Sequence, residues 1–85
     1  MVEADLPAIT GKQLIRLLKK GGWLIGRRAT HGVTMTKFIR DRTRVTFIPD
    51  TRASLDRGTL MAILGPKQTG LGRNGLLRLI EKHKK

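Results

Sequence analysis

Apolar residues recur with helical spacing in three parts of the chain, and each run starts with the same pattern. Two apolar residues occupy the positions that form a hydrophobic staple around a helix start. The pairs are Ile9 with Leu14, Leu55 with Leu60, and Leu71 with Leu76. Thr10 followed by Gln13 has the spacing of a capping box. Asp56 is a suitable N-cap for the second helix, and Gly72 is a weaker one for the third.

The ends of the helices are marked by glycine and proline. Gly21-Gly22 stops the first helix, and Gly65-Pro66 stops the second. Each run also supplies one apolar side that can be buried. These residues are Leu14, Ile15, Leu17 and Leu18 in the first helix, Ile63 and Leu64 in the second, and Leu77, Leu79 and Ile80 in the third.

Between the first two helices the pattern changes to that of strands. We predict strands at 23–28, 32–39 and 44–48, with Val33, Met35 and Ile39 on one face of the second. Pro49 closes the third strand, and the link at 40–43 is short enough for a tight hairpin.

The predicted order of elements is α-β-β-β-α-α, which is an α+β fold. A three-stranded antiparallel meander needs one face covered, and the helices can cover it. The order resembles a double-stranded-RNA-binding domain with an extra C-terminal helix. The 85 residues suffice for one domain with a thin core, in which we expect Trp23 and Phe47. We predict an irregular lead-in at 1–8, a single domain at 9–81 and a basic tail at 82–85.

The charge of the chain points to a polyanionic partner. Eighteen Lys and Arg against six Asp and Glu give a formal net charge of +12, more than solubility alone requires. Nucleic acid is the first candidate, an acidic protein the second and an anionic membrane surface the third; a merely solvated surface is the alternative. No run approaches the ~18 apolar residues of a membrane span, and the start is not a signal peptide. We therefore expect a soluble, cytoplasmic protein without a membrane partner.

Few residues could carry out catalysis. The chain has no cysteine or tyrosine and no clustered pair of carboxylates, and its two histidines are far apart in sequence. We therefore expect no metal site and no cofactor. His83 lies in a lysine-rich tail, which leaves His31 as the candidate catalytic residue.

His31 lies where the first two predicted strands meet, after Arg27 and Arg28 and on the same strand parity as Lys37. Cationic neighbours disfavour a charged imidazole, so a neutral ring that can accept a proton is expected at pH 7. RNA supplies its own nucleophile, the ribose 2′-hydroxyl, and arginine or lysine can stabilise the charge that develops on the phosphate. The alternative interpretation is a solvated surface histidine in a loop, with Thr30 as an ordinary turn residue.

Three segments resemble the HicA family of toxin–antitoxin ribonucleases. They are L-I-R-L-L-K-K-G-G-W at 14–23, R-R-A-T-H-G-V at 27–33, and V-T-F-I-P through L-D-R-G-T-L-M-A-I-L at 45–64. The resemblance implies a double-stranded-RNA-binding-like fold, metal-independent cleavage of mRNA and inhibition by an acidic HicB-type antitoxin. It implies a catalytic role for His31 alone. Ala29-Thr30 stand where the family usually has Gly-Ser, and Gly32 stands where it often has a bulky residue.

Together, charge and resemblance predict an endoribonuclease toxin. We expect Lys12, Arg27, Arg28, Thr30 and Lys37 to contact its RNA. One alternative is a non-catalytic RNA-binding module that grips phosphates by shape. It would use the cations of the first helix, which are Lys12, Arg16, Lys19 and Lys20. Another is a protein-interaction subunit whose basic face serves only an acidic partner.

Overall fold

A computed structural model describes residues 8–83, and these form the predicted α+β arrangement. In chain order the elements are α1 (Gly11–Lys20), β1 (Leu24–Ala29), β2 (Gly32–Ile39), β3 (Arg42–Pro49), α2 (Arg57–Leu64) and α3 (Gly72–Lys82). The predicted lead-in falls outside the described residues except for Ala8, which has no regular structure. Of the predicted tail, Lys82 belongs to α3, and Lys84 and Lys85 lie outside the described residues.

The predicted caps of α1 and α2 are confirmed. The Thr10 hydroxyl accepts a hydrogen bond from the Gln13 N–H at 3.0 Å, and the Gln13 side chain accepts one from the Thr10 N–H at 2.9 Å. Asp56 accepts from the Thr59 N–H at 3.1 Å. The prediction for α3 is wrong in detail, because Gly72 is its first residue. Leu71 precedes it without a side-chain cap.

The sheet has strand order β1-β2-β3, and both neighbouring pairs are antiparallel. Two-residue turns join the strands: Thr30-His31 between β1 and β2, and Arg40-Asp41 between β2 and β3. Arg40 and Asp41 have φ of 51° and 64°, the left-handed conformation that a tight hairpin turn of this type requires. The link was predicted at 40–43, but the observed turn contains only residues 40 and 41, because residues 42 and 43 pair within β3.

The core lies between the helices and one face of the sheet, which we call the covered face. The sheet contributes Val33, Met35 and Ile48, all with 1% exposure or less. Trp23 is buried there too, as predicted. The helices complete the core with Leu14, Ile15, Leu18, Leu60, Ile63, Leu64 and Leu76. In α3, Leu76 alone is fully buried, and Leu77, Leu79 and Ile80 are half-buried.

The prediction that Phe47 belongs to the core is wrong. Phe47 pairs with Thr34, while its chain neighbours Thr46 and Ile48 are buried against the helices. Because side chains alternate along a strand, Phe47 lies on the opposite side of the sheet, which we call the open face, and 46% of it is exposed. We predicted a buried ring from its size and apolarity, but the alternation of side chains along β3 determines the side of the sheet on which it lies.

A close approach fixes the start of α1 against the end of β3. A Cβ atom on Gly11 would overlap the carbonyl oxygen of Pro49, so a larger residue cannot occupy this position without moving the backbone. The Lys12 N–H donates to the Thr51 carbonyl at 3.1 Å. This contact brings the first turn of α1 beside the segment that follows β3.

Candidate nucleic-acid interface

His31 is the second residue of the β1–β2 turn, and its side chain is exposed. Its carbonyl accepts a hydrogen bond from the Asp50 N–H at 3.3 Å, which ties the turn to the segment after β3. The imidazole is therefore held on an anchored turn and is open to a ligand from outside. Thr30 precedes it in the same turn and is also exposed.

A basic groove of about 210 Å³ runs between α1 and β1. Four cationic side chains and one carboxylate line it, together with two isoleucines. We call it the α1–β1 groove, and its lining residues are Lys12, Ile15, Arg16, Lys19, Ile25, Arg28 and Asp50. Because four cations and only one carboxylate line this groove, it is suited to bind a phosphate backbone.

The local structure explains how the cations reach one groove. Lys12, Arg16 and Lys19 follow one another at helical spacing, so they lie along one side of α1. Arg28 pairs with the buried Val33, so its side chain lies on the same side of the sheet as α1. The helix and the strand thus contribute positive charge from opposite walls.

Asp50 connects the groove to the turn that bears His31. Its carboxylate accepts a hydrogen bond from the Lys12 ammonium at 2.8 Å, and its N–H binds the His31 carbonyl. The hydrogen bond from Lys12 is the main reason that the pKa of Asp50 is lowered from 3.8, and the charges of Lys12 and Arg28 add to it. Sequence reasoning missed Asp50, because nothing local shows that the end of β3 lies beside the β1–β2 turn.

The structure separates the two arginines that precede His31. Arg28 lines the groove, whereas Arg27 pairs with Thr34 and lies on the open face with Thr34 and Phe47. The two were predicted to act together near His31. Their adjacent positions in a strand instead direct them to opposite sides of the sheet.

Lys37 is not brought to His31. It lies five residues beyond Gly32 in β2, which is about 16 Å along an extended strand. Its ammonium donates to the Gly21 carbonyl at 2.8 Å, so it holds the C-terminal end of α1. The shared strand parity noted in the sequence is real, but the distance along the strand is too great for a joint site.

Lys20 and His83 do not line the groove. Lys20 lines a neighbouring cavity of about 310 Å³, which shares Arg16 with the groove and whose walls include Leu17 and Ile80. His83 is the C-cap of α3 and is half-buried. Within residues 8–83, no three His, Cys, Asp or Glu side chains come close enough to hold a metal ion.

A second group of arginines lies near the β2–β3 turn, and one of them is structural. Arg40, Arg42 and Arg44 line a cavity of about 260 Å³ with Ile39. Arg44 donates to the carbonyls of Pro66 and Gln68 at 2.8 and 3.1 Å. It therefore fastens the loop between α2 and α3, while Arg40 and Arg42 are exposed.

Comparisons with protein-family models, curated proteins and solved structures find no match for this chain. The resemblance to the HicA family rests on the three sequence segments and stays a prediction. Among the helices within residues 8–83, none has the length and apolar character needed to span a bilayer. The cytoplasmic location likewise stays a prediction.

Proposed function

We propose that this protein is an endoribonuclease toxin that cleaves mRNA with His31 and is inhibited by an acidic, HicB-type antitoxin. The observation that supports it best is the exposed His31 on an anchored turn beside the cationic α1–β1 groove. The groove offers a track for the phosphate backbone, and the turn offers a proton acceptor at its border.

The proposed chemistry uses the substrate's own hydroxyl group. The His31 imidazole takes the proton of a ribose 2′-hydroxyl, and the 2′-oxygen attacks the adjacent phosphorus. The bond from phosphorus to the 5′-oxygen breaks, and the leaving oxygen takes a proton from the imidazolium or from water. The products are a 2′,3′-cyclic phosphate and a 5′-hydroxyl.

Arg28 is the groove cation best placed to assist this step. It lies on β1 near the turn, close enough to Asp50 for its charge to help lower the pKa of that carboxyl. A guanidinium there stabilises negative charge on the phosphate as the 2′-oxygen attacks. Lys12 lies on the opposite wall of the groove and binds Asp50, and a phosphate would compete with that carboxylate for its ammonium.

An acidic antitoxin is the inhibitor that this surface would favour. A partner that covers the groove and the β1–β2 turn would block His31 and the phosphate track at once. Opposite charge on the two proteins would accelerate their association, and high salt would slow it by screening these charges. This part of the proposal depends on the charge of the groove and on the resemblance to the HicA family.

A non-catalytic RNA-binding module is the second candidate. Arg16 and Lys19 favour it, because they extend the groove along α1 and would bind phosphates whether or not His31 acts. This candidate requires RNA binding that weakens steeply with salt and leaves the RNA intact.

The deciding experiment compares the parent protein with His31→Ala and with the matched control His83→Ala. We expect His31→Ala to slow RNA cleavage by about 10²- to 10⁴-fold with unchanged folding, and His83→Ala to cleave like the parent. Cleavage products of the parent should end in 2′,3′-cyclic phosphate. If His31→Ala cuts as fast as the parent, the catalytic role is wrong. If the parent binds RNA and leaves it intact, the binding module is the better description.

A further inference from the structure

The open face of the sheet carries large apolar side chains that no other element within residues 8–83 covers. Four of the five most exposed large hydrophobic residues within residues 8–83 lie there. They are Leu24 at 69%, Phe38 at 68%, Val45 at 49% and Phe47 at 46% exposure. A small monomer rarely leaves so many large apolar residues together on its surface, and such a patch is typical of a binding site.

The register gives this face an ordered layout. One row runs Arg27–Thr34–Phe47, the next Leu24–Thr36–Val45, and the third Phe38–Thr43. Above the first row lie Ala29, Gly32 and Pro49, directly beside the turn that bears His31. The face therefore extends from the His31 turn to the β2–β3 turn.

The charge on and around this face is positive. Arg27 lies beside Thr34 within it, and the exposed turn at its far end contains Arg40 and Asp41. Arg42 has the strand parity of the buried Ile48 and therefore lies on the covered side. None of the three rows contains an Asp or a Glu. Aromatic rings, hydroxyls and guanidiniums without carboxylates are the groups that bind single-stranded nucleic acid through its bases and its backbone.

We propose that the open face binds single-stranded RNA, with bases stacked on Phe47 and Phe38 and a phosphate on Arg27. The proposal rests on the proposed function and names the form of its substrate. Phe47 and Phe38 are about 14 Å apart by strand spacing and rise, so they receive two different bases. Thr34 and Thr36 lie between them on β2 and can bond to base edges.

Gly32 shows how this platform is joined to the catalytic turn. A Cβ atom on Gly32 would lie 2.6 Å from the Phe47 ring and 2.5 Å from the Ile48 carbonyl oxygen. The Phe47 ring thus lies over Gly32, the residue after His31. A base stacked on Phe47 would therefore bring a neighbouring ribose toward the His31 imidazole, which the proposed chemistry requires.

A second copy of this chain fits the face less well than RNA does. A symmetric dimer places the same patch against itself, so Arg27 of each copy would enter an interface that lacks carboxylates from these rows. Each chain also carries a formal net charge of +12, and that repulsion opposes association. RNA instead brings the opposite charge.

The test measures binding of a short single-stranded RNA with 2′-O-methyl riboses, which the proposed chemistry cannot cleave. Variants are Phe47→Ala, Phe38→Ala and the conservative Phe47→Trp, and Met61→Ala on α2 is the matched control for loss of an exposed apolar residue. We expect each alanine variant of the face to raise Kd roughly 5- to 150-fold, and Met61→Ala to leave it unchanged. Phe47→Trp should keep the affinity, and RNA should quench its added emission, because Trp23 is buried.

Unchanged affinity in both alanine variants would overturn the platform. If the parent still cleaves unmodified RNA in that case, the proposed nuclease function stands while this inference fails. Sedimentation equilibrium tests the alternative of self-association. If the parent is a dimer, Phe38→Ala is a monomer and the RNA affinity of the two is equal, the face serves self-association instead. Weakened single-strand binding in Phe47→Ala and Phe38→Ala, with unchanged binding in Met61→Ala, would support the platform as a binding surface.

Discussion

Both faces of the sheet carry apolar side chains, but the helices cover only one of the two faces. On the covered face Ile48 and Met35 are buried under the helices, whereas on the open face Val45 and Phe47 are about half exposed. Apolar residues thus occur at both parities of β3. The helices decide which of them form the core, and the remaining ones are free to bind something else.

The contrast extends to charge. Arg28 and Arg27 are neighbours in the chain, yet one lines the groove on the covered side and the other lies on the open face. We propose above that Arg28 assists cleavage, and we infer separately that Arg27 binds a phosphate of the single-stranded RNA.

The largest expected effect is on the free energy of unfolding, and the prediction compares alanine variants of two apolar residues of β3. Ile48→Ala removes a fully buried side chain and should lower the free energy of unfolding by about 2–5 kcal/mol. Val45→Ala removes one that is 49% exposed and should cost at most about 1 kcal/mol. Chemical denaturation measures both. Equal losses would mean that the open face is covered in solution.

The next effect concerns the groove. Arg28→Ala removes a charged hydrogen-bond donor and should lower kcat/KM for RNA cleavage by about ten- to a hundred-fold. Arg78→Ala is the matched control, because Arg78 is exposed on α3 and does not line the groove. Steady-state cleavage rates measure the difference. Similar losses in both variants would show that total charge matters and position does not.

The smallest expected effect is a pH dependence caused by Asp50. The Lys12 hydrogen bond lowers the pKa of the folded Asp50 carboxyl below 3.8, so the ionised group stabilises the fold above that pH. The contribution is lost as the pH falls through the lowered pKa. Asp50→Asn should therefore differ from the parent by a constant amount above about pH 5, and the difference should shrink below about pH 4.

Thermal unfolding as a function of pH measures this dependence. Asp41→Asn, in the exposed β2–β3 turn, is the matched control for removing a surface carboxylate. A difference between Asp50→Asn and the parent that persists undiminished at the lowest pH would contradict the assignment to the Lys12 pair.

The sequence predicts the elements well because their signals are local. The Thr10 capping box, the Asp56 cap and the glycines after α1 each act within a few residues, and each occurs where predicted. Phe47 was placed wrongly because its position depends on the pairing register of β3, which single residues do not reveal. The cap of α3 was misplaced by one residue, at Gly72 rather than Leu71, because no side chain caps this helix.

The site was predictable only in part, for a similar reason. His31 was found because a lone histidine among arginines is visible in the sequence, and its exposure agrees with the requirement for a substrate to reach it. Asp50 lies beside His31 because the segment after β3 contacts the β1–β2 turn. No pattern in the sequence predicts this contact. Lys37 was included on parity alone, although it lies at the other end of β2 and holds α1.

The central claim is that the 2′-hydroxyl of the RNA is the nucleophile and that His31 takes its proton. Its most direct test is single-turnover cleavage of two RNAs of the same sequence, one with 2′-hydroxyls and one with 2′-O-methyl groups. The claim predicts that both bind with similar Kd and that the parent cuts only the first, leaving 2′,3′-cyclic phosphate ends. Cleavage of the methylated RNA at the same rate would contradict it.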